Sequence, residues 1–398
     1  MTDQTYPTYT SKLSFDTIVA NSGLKNALTK SSSDICQELL DAGLRGMGGA
    51  GFPTGLKWKT ALEASSDFKY IVCNADEGEP GTFKDRIILD KYADLVLEGL
   101  TIGAKAIGAK QGFIYLRWEY TFLKEHLEKQ IKKRHAENLL GKNILQVKGF
   151  NFDIEVRMGA GAYVCGEETA LINSLEGKRG EPRNRPPFPV EAGYEQHPTV
   201  VNNVATLAWA TSILSKGSAW FKSYGTKSCP GLDVLSISGD CNRPGVYEFP
   251  MGVSIKEIIE SAQADINTTK AVILGGASGV CVSKAEFHRT IAYDDIFDTG
   301  AVVILNDQRD MLDIAENCLE FFVEESCGKC TLCRVGLPKI LAGMHKLKHK
   351  KCSAKALEEM MSLAKSIELG SVCGLGQAST KVFKSIINNF KTEIKLSN

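Results

Sequence analysis

Tyr70-Ile71-Val72-Cys73-Asn74 is a short apolar run that reads as a buried strand. It passes directly into Ala75-Asp76-Glu77-Gly78-Glu79-Pro80-Gly81-Thr82-Phe83-Lys84-Asp85-Arg86, and a helical pattern covers 86–108. Strand, loop and helix form the unit of a parallel sheet, and the unit repeats along the chain. Gly112-Phe113-Ile114-Tyr115-Leu116-Arg117 is a second strand, 121–137 a charged helix, and Phe152 to Arg157 an alternating strand. Another helix begins at Glu167 and runs to Leu175. Upstream, Asp34 to Leu44 has helical apolar spacing with Asp34 as its N-cap, and Trp58 to Ala64 is a short helix. Strands alternating with helices to about residue 225 predict an α/β layer around a mostly parallel sheet.

The texture changes after Pro230. Val234 to Gly239, Val246 to Phe249, Ala271 to Leu274 and Ala301 to Leu305 read as strands, and Ser254 caps a helix that runs to Ala262. That is a small α+β module of roughly 80 residues, an ordinary domain size. From Met311 onward the pattern is helical, interrupted by a cysteine triplet. The expected division is an N-terminal segment (1–33), an α/β domain (34–228), the α+β module (229–309) and a helical domain (310–398).

The triplet is Cys327-Gly328-Lys329-Cys330-Thr331-Leu332-Cys333, with Cys373 further on in Val372-Cys373-Gly374. The C-x2-C-x2-C spacing converges three thiols, and a distant fourth completes the ligand set of a [4Fe–4S] cluster. Structural zinc more often uses two separated C-x2-C pairs or cysteine with histidine, and no His lies near the triplet. A chain with such a cluster is expected to carry electrons.

Composition bounds the setting. A length of 398 residues suits two or three domains. Lys and Arg total 47 and so do Asp and Glu, which gives no reason to expect nucleic acid or an anionic membrane as partner. Met1 to Lys30 lacks the apolar run of a signal peptide, and no stretch approaches the ~18–20 apolar residues of a span. Twelve Cys suit a reducing compartment better than a disulfide framework. The expectation is a cytoplasmic protein without direct membrane insertion, including the case of a subunit peripheral to a membrane complex.

Three loops carry candidate binding residues. Gly46-Met47-Gly48-Gly49-Ala50-Gly51 matches G-x-G-x-x-G, but a helix precedes it where the dinucleotide fingerprint requires a strand. It continues through Phe52-Pro53-Thr54-Gly55-Leu56-Lys57, where bare amides beside a Lys suit a phosphate. The acidic block after Asn74 lies beyond a strand's carboxyl end, where ligands gather in open α/β sheets. Its amide and carboxylates can grip hydroxyls and a heterocycle edge, or form a solvated turn. The third loop, Gly159-Ala160-Gly161-Ala162-Tyr163-Val164-Cys165-Gly166-Glu167-Glu168, again leads from strand to helix. A Glu there either favours the helix dipole or holds ribose hydroxyls. Pro182-Arg183-Asn184-Arg185-Pro186-Pro187-Phe188-Pro189 is stiff, basic and aromatic, a cofactor clamp or a surface crossing.

Together with Pro198-Thr199-Val200-Val201-Asn202-Asn203-Val204, these blocks closely resemble, in order, the flavoprotein (NADH-binding, 51 kDa-type) subunit of complex I. The diaphorase subunits of NAD-dependent hydrogenases and formate dehydrogenases are its relatives. The resemblance covers about residues 20–390. It implies a Rossmann-like FMN/NADH domain, a ubiquitin-like (β-grasp) insert and a C-terminal helical bundle holding the cluster. By position, Gly46, Gly48, Lys57, Asn74, Asp76, Gly166, Asn202 and Asn203 would hold FMN. Phe52, Glu79, Glu168 and Phe188 would contact NADH, with Glu77 and Glu167 between the two ligands and Tyr163 near the flavin. Cys327, Cys330, Cys333 and Cys373 would ligate the cluster.

Three positions depart from the family pattern. Met47 stands where Arg is common, Thr60 where an aromatic often stacks on adenine, and Arg185 where Lys is common, which changes hydrogen-bond geometry. The retained Glu168 implies NADH over NADPH. The wording around Cys373 and Arg334-Val335-Gly336 is closer to the hydrogenase and formate dehydrogenase relatives, many of which carry an N-terminal thioredoxin-like extension that this sequence is expected to lack.

The implied activity is that of an NADH:acceptor oxidoreductase subunit in a hetero-oligomer. A flavin accepts two electrons together and releases them singly, matching a hydride donor to a one-electron cluster. No side chain need act as general acid or nucleophile; Glu77, Glu79 and Glu167 tune the site. Implied partners are NADH, a [2Fe–2S] thioredoxin-like subunit and a larger iron–sulfur subunit. Two readings from other classes stand beside it: a non-catalytic scaffold whose metal organises the helices, and a catalytic thiol at Cys165.

Overall fold

The computed structural model describes residues 9–297 and 299–397. Among them the strands are β1 (Tyr9–Thr10), β2 (Tyr70–Ala75), β3 (Gln111–Leu116), β4 (Asp153–Met158), β5 (Thr199–Asn203), β6 (Leu232–Gly239), β7 (Gly245–Pro250), β8 (Thr269–Leu274), β9 (Val280–Ser283) and β10 (Ala301–Asn306). Strands β4-β3-β2-β5 form a wholly parallel sheet in that order. Both faces are covered, so β2 is a continuous apolar run rather than an alternating one. Ile71 and Cys73 enter one core with the helices Ala93–Ile107 and Val204–Lys216. Val72 on the opposite face joins Phe113, Val201 and the C-terminal helices.

Gly99 explains how closely the first pair of helices packs: a Cβ there would lie 2.3 Å from the Leu207 carbonyl oxygen. The remaining strands form a mixed sheet ordered β1-β7-β6-β10-β8-β9. It wraps the helix Ile255–Ser261, whose Ile255, Ile258 and Ile259 meet Leu235, Val272 and Ile304 in a separate core. The fold is therefore α/β, with a Rossmann-like parallel layer, a β-grasp sheet and a C-terminal helical bundle.

Several local expectations shift. Ser31, not Asp34, caps the helix Ser32–Ala42. The Asp34 amide donates to Ser31 Oγ at 3.1 Å while its carboxylate accepts from the Ser31 amide, which is a capping box. The expected 86–108 helix is two, Lys84–Lys91 and Ala93–Ile107, broken at Tyr92, whose φ of −129° leaves the helical region. The helix expected from Trp58 starts at Thr54. Strands β1 and β9 carried no sequence reading because two- and four-residue runs are too short to show a period. Residues 9–33 serve both layers: β1 pairs with β7, and Leu24 and Ala27 of the helix Ser22–Leu28 are buried in the first core.

Candidate functional site

The chain runs outward from β2 through β3 to β4 and then returns to place β5 on the other side of β2. That reversal opens a crevice between the carboxyl ends of β2 and β5, the place where open α/β sheets bind ligands. Asn74 is the penultimate residue of β2, and Asn202–Asn203 end β5. Asn74 Nδ2 donates to the Gly166 carbonyl at 2.8 Å, Asn202 Oδ1 accepts from the Trp58 indole at 2.8 Å, and Asn203 Nδ2 donates to Asp85 at 2.6 Å. The glycine loop lies alongside. A Cβ on Gly48 would sit 3.3 Å from Asn203 Cβ. Gly49 and Gly51 hold φ of 97° and 62°, which favour glycine. Gly46 closes the loop by donating to Phe52 O at 2.9 Å. The second sheet braces it from outside, with Phe297 against Gly51 and the Arg45 guanidinium 4.8 Å from the Tyr293 ring centre.

The acidic turn divides by partner. Glu77 is buried and accepts from Thr82 Oγ1 (2.9 Å), the Asp85 amide (2.9 Å), the Arg86 amide (3.1 Å) and Tyr120 OH (2.9 Å). These bonds fill its oxygens and anchor the start of the helix Lys84–Lys91. Glu79 is likewise buried and accepts from Tyr163 OH at 2.8 Å, Ser278 Oγ at 2.7 Å and the Ser278 amide at 3.0 Å, tying the turn to the second sheet. Both carboxylates are thus held by internal donors within the turn that would flank the two ligands, and the ligand roles expected of Glu77 and Glu79 stand as proposals. Lys84 stays charged although burial opposes it, because Asp85, Glu77 and Asp233 surround its ammonium.

Asp76 is the exception. Its Oδ2 is buried without a hydrogen-bond partner among the described residues, and burial, only partly offset by Arg117, pushes its pKa up to about 7. Gly166 faces it: a Cβ there would lie 3.4 Å from the Asp76 carbonyl oxygen and 3.7 Å from Oδ2. An unpartnered buried acceptor beside a side-chain-free wall, in a crevice rimmed by amides and a Lys, fits a polyhydroxylated phosphate ester such as FMN.

The crevice mouth keeps its charges nearer to water. Lys57 Nζ lies 3.0 Å from Glu168 Oε2 and donates to the Val201 carbonyl at 3.2 Å. Arg185 reaches the other Glu168 oxygen at 3.3 Å and Glu167 at 3.8 Å. Glu167 caps the helix Glu168–Leu175, accepting from the Thr169 and Ala170 amides at 2.9 Å. Its place next to the mouth is set by that cap. Phe52 and Phe188 remain 46% and 48% exposed, unlike most aromatics of the chain. Met47 is buried while its amide donates to Thr206, so the position common to Arg offers no side chain to the crevice. Thr60 is half-buried and its hydroxyl donates back to Leu56 O at 3.0 Å.

Cys327, Cys330, Cys333 and Cys373 line one small cavity with Ser326 and Ser371. The Val372 amide donates to Cys330 Sγ at 3.3 Å, Ser326 Oγ lies 3.2 Å from Cys333 Sγ, and the buried Ser371 Oγ has no partner among the described residues. Donors aimed at sulfur suit thiolates that hold a cluster. The cavity adjoins the crevice. The Tyr163 amide donates to Glu325 Oε2 at 3.0 Å, its ring packs edge-on against Phe321 at 5.0 Å, and the Arg179 guanidinium donates to Cys327 O at 2.6 Å. Cys165 is different: buried, with its thiol pushed up chiefly by burial, it lacks the thiolate character of a nucleophile. Arg117, expected from the sequence as the last residue of a strand, instead directly follows β3 and so stands at a carboxyl end too; neither it nor Glu119 is singled out for the site by its sequence pattern.

A parallel-sheet cofactor crevice joined to a four-cysteine cavity defines a flavin and iron–sulfur protein. Residues 39–211 match the Nuo51 FMN-binding domain, and residues 313–397 match the NADH-ubiquinone oxidoreductase-F iron-sulfur binding region. The chain is 41% identical to an NADH-quinone oxidoreductase subunit of Rhizobium meliloti, covering 93% of this chain and 90% of that one. It is 44% identical to the NAD-reducing hydrogenase HoxS subunit alpha of Cupriavidus necator, covering 92% of this chain but only 61% of that subunit. A crystal structure of NAD+-reducing [NiFe]-hydrogenase in the H2-reduced state superposes with a TM-score of 0.89 at 38% identity, over 95% of this chain and 64% of that one. The chain belongs to the family of FMN-binding, iron–sulfur subunits shared by NADH-quinone oxidoreductases and NAD-reducing hydrogenases, the diaphorase subunits. It spans under two thirds of the length of these hydrogenase chains.

Proposed function

We propose that the chain is the NADH:acceptor oxidoreductase (diaphorase) subunit of a hetero-oligomeric complex, binding NADH, FMN and a [4Fe–4S] cluster. The observation that carries this is the single segment Tyr163–Glu168. It contributes Gly166 to the crevice and Glu168 to its mouth, and its Tyr163 amide bonds the helix that leads into Cys327. FMN, when bound, supplies the exchange between a two-electron hydride and single electrons. The protein's part is to hold and orient. The amides of Gly46 to Gly51 and Lys57 receive phosphate, Asn74, Asp76, Asn202 and Asn203 hold the remainder of FMN, and Gly166 leaves the space. Phe52 and Phe188 present faces on which a nicotinamide dinucleotide can stack. Glu168, poised between Lys57 and Arg185, accepts from ribose hydroxyls and repels a 2′-phosphate. Cys327, Cys330, Cys333 and Cys373 ligate the cluster.

The nearest acceptor for such electrons is a partner iron–sulfur protein, proposed as a [2Fe–2S] thioredoxin-like subunit with a larger iron–sulfur subunit beyond it. The cytoplasm is the proposed compartment, with a peripheral place on any membrane complex; among the described residues no helix is long and apolar enough to cross a membrane. A second reading has specific support. The 44% identity to a subunit of an NAD-reducing hydrogenase supports a hydrogenase-type parent that runs toward NAD+ reduction, with a formate dehydrogenase as the related alternative. Purification with assays for FMN, iron and acid-labile sulfide, and for NADH:ferricyanide activity, tests the core proposal. One FMN and four iron atoms per chain are expected of a four-iron site; zinc without flavin would leave only the scaffold reading.

A further inference from the structure

Arg117 is the first residue beyond β3, and its amide donates to the Ala75 carbonyl at 3.2 Å. Its guanidinium spans three groups. Nε and one terminal nitrogen grip Glu119 Oε2 and Oε1 at 2.9 and 2.5 Å, while the other terminal nitrogen donates to the Glu77 carbonyl. Its ring-side neighbour is Tyr120, 5.4 Å from the guanidinium carbon, and the Tyr120 hydroxyl in turn donates to the Glu77 carboxylate. Glu119 faces the glycine loop: a Cβ on Gly161 would lie 3.9 Å from either of its oxygens. One side chain therefore ties the acidic turn to Glu119, which stands beside the glycine loop that follows β4.

We propose that Arg117, locked by Glu119, is a positioning residue for the flavin pocket: it fixes the Glu77 peptide and sets a cation opposite the Asp76 carboxylate. The inference rests on the reading of Asp76 as a flavin contact. The charged groups that face Asp76 are Arg117, Glu119 and Glu325, and the Tyr115 hydroxyl and Cys165 thiol also lie near it. Two of those neighbours are carboxylates and one is a cation. Removing Arg117 would leave three acids around one buried pocket, and Asp76 would stay protonated to higher pH. An ionised acceptor binds a hydroxyl more strongly than a neutral carboxyl does, so Arg117 would govern how tightly flavin is held near neutrality. The planar fork matters as well as the charge, because a Lys offers one nitrogen where Arg117 uses three.

The test measures FMN dissociation by flavin fluorescence across a pH series, on the full chain stripped of flavin, for wild type, Arg117→Gln, Arg117→Lys and Asp76→Asn. The titration of the FMN phosphate is common to all four and cancels in the comparison. Wild-type affinity should rise as pH climbs through about 7. Arg117→Gln should weaken binding at neutrality on the order of tenfold and move that midpoint upward. Arg117→Lys should return the midpoint near wild type without restoring full affinity. Wild-type affinity and midpoint in Arg117→Gln would overturn the proposal; should that variant not fold, wild-type affinity in Arg117→Lys would do so. Asp76→Asn separates the two possible failures. If it flattens the pH response while the Arg117 variants match wild type, the positioning role alone is wrong. If it changes neither affinity nor pH response, the flavin assignment of Asp76 is wrong and the proposal goes with it.

Discussion

The acidic turn at Asp76–Glu79 and the crevice mouth at Lys57, Glu168 and Arg185 both concentrate charge around one opening, yet they hold it in opposite ways. In the turn, Glu77 and Glu79 are buried and saturated by internal donors. At the mouth, Glu168 shares two cations that remain a fifth to a third exposed. A buried, satisfied carboxylate shapes the backbone, whereas a half-exposed one balanced by movable cations can exchange partners with a ligand. Asp76 lies in the turn but its carboxylate oxygen Oδ2 lacks a hydrogen-bond partner among the described residues, so it belongs functionally with the second group. Carboxylate density along a sequence does not distinguish these cases; the available donors do.

The largest expected effect tests the structural half of that contrast. Glu77→Ala leaves two backbone amides and two hydroxyls without their acceptor, and should cost roughly 3–5 kcal/mol of stability, read by denaturant unfolding of the flavin-free chain. A loss below about 1 kcal/mol would mean that the turn does not depend on this anchor.

Next is Asp76→Asn. Its carboxyl has a raised pKa of about 7 when folded and an ordinary one near 3.9 when unfolded, so folding favours the protonated form. That contribution is full below the unfolded value and is lost as pH rises through about 7. Asn removes the penalty. The flavin-free variant should therefore gain stability over wild type at pH 8, on the order of a few kcal/mol, while binding FMN more weakly. Equal pH dependence of stability in both proteins would place the Asp76 carboxyl in a different environment.

At the mouth, Glu168→Ala should change stability by less than about 1 kcal/mol, as befits a partly exposed ion pair. Its effect should fall on specificity, narrowing the NADH-over-NADPH ratio of kcat/KM about tenfold. The comparison would break if stability fell sharply while the ratio held. Smallest is Thr60→Phe, which supplies an aromatic at a half-buried position of the helix Thr54–Glu63. A lower KM for NADH, by about two- to tenfold, would show that an adenine lies there; an unchanged KM would show that it does not.

The sequence disclosed the layers because apolar periods and lengths report burial directly. The buried run of β2, the cap at Ser254 and the helical texture after Met311 all recur in the structure. The cysteine triplet was legible because its spacing alone brings three thiols near one another, whereas Cys373 reaches them only through the fold. What escaped depended on partners far away in the chain. Glu79 is held by Ser278, 199 residues on, and Glu77 by Tyr120, 43 residues on, together with Thr82 and two amides close by in the chain, so the local sequence showed at most part of what holds these acids. Arg117 escaped for a related reason: its importance comes from the Glu77 carbonyl, a backbone group that any residue would provide.

Whether the crevice and the cysteine cavity form one electron route is tested most directly by anaerobic NADH titration of the cluster-replete, FMN-loaded chain. Flavin absorbance and the electron paramagnetic resonance of the cluster would be followed together. NADH should bleach the flavin and bring up the signal of a reduced [4Fe–4S] cluster, and Cys330→Ala should abolish the second change while keeping the first. Flavin bleaching with an intact cluster that no amount of NADH reduces would contradict a shared route.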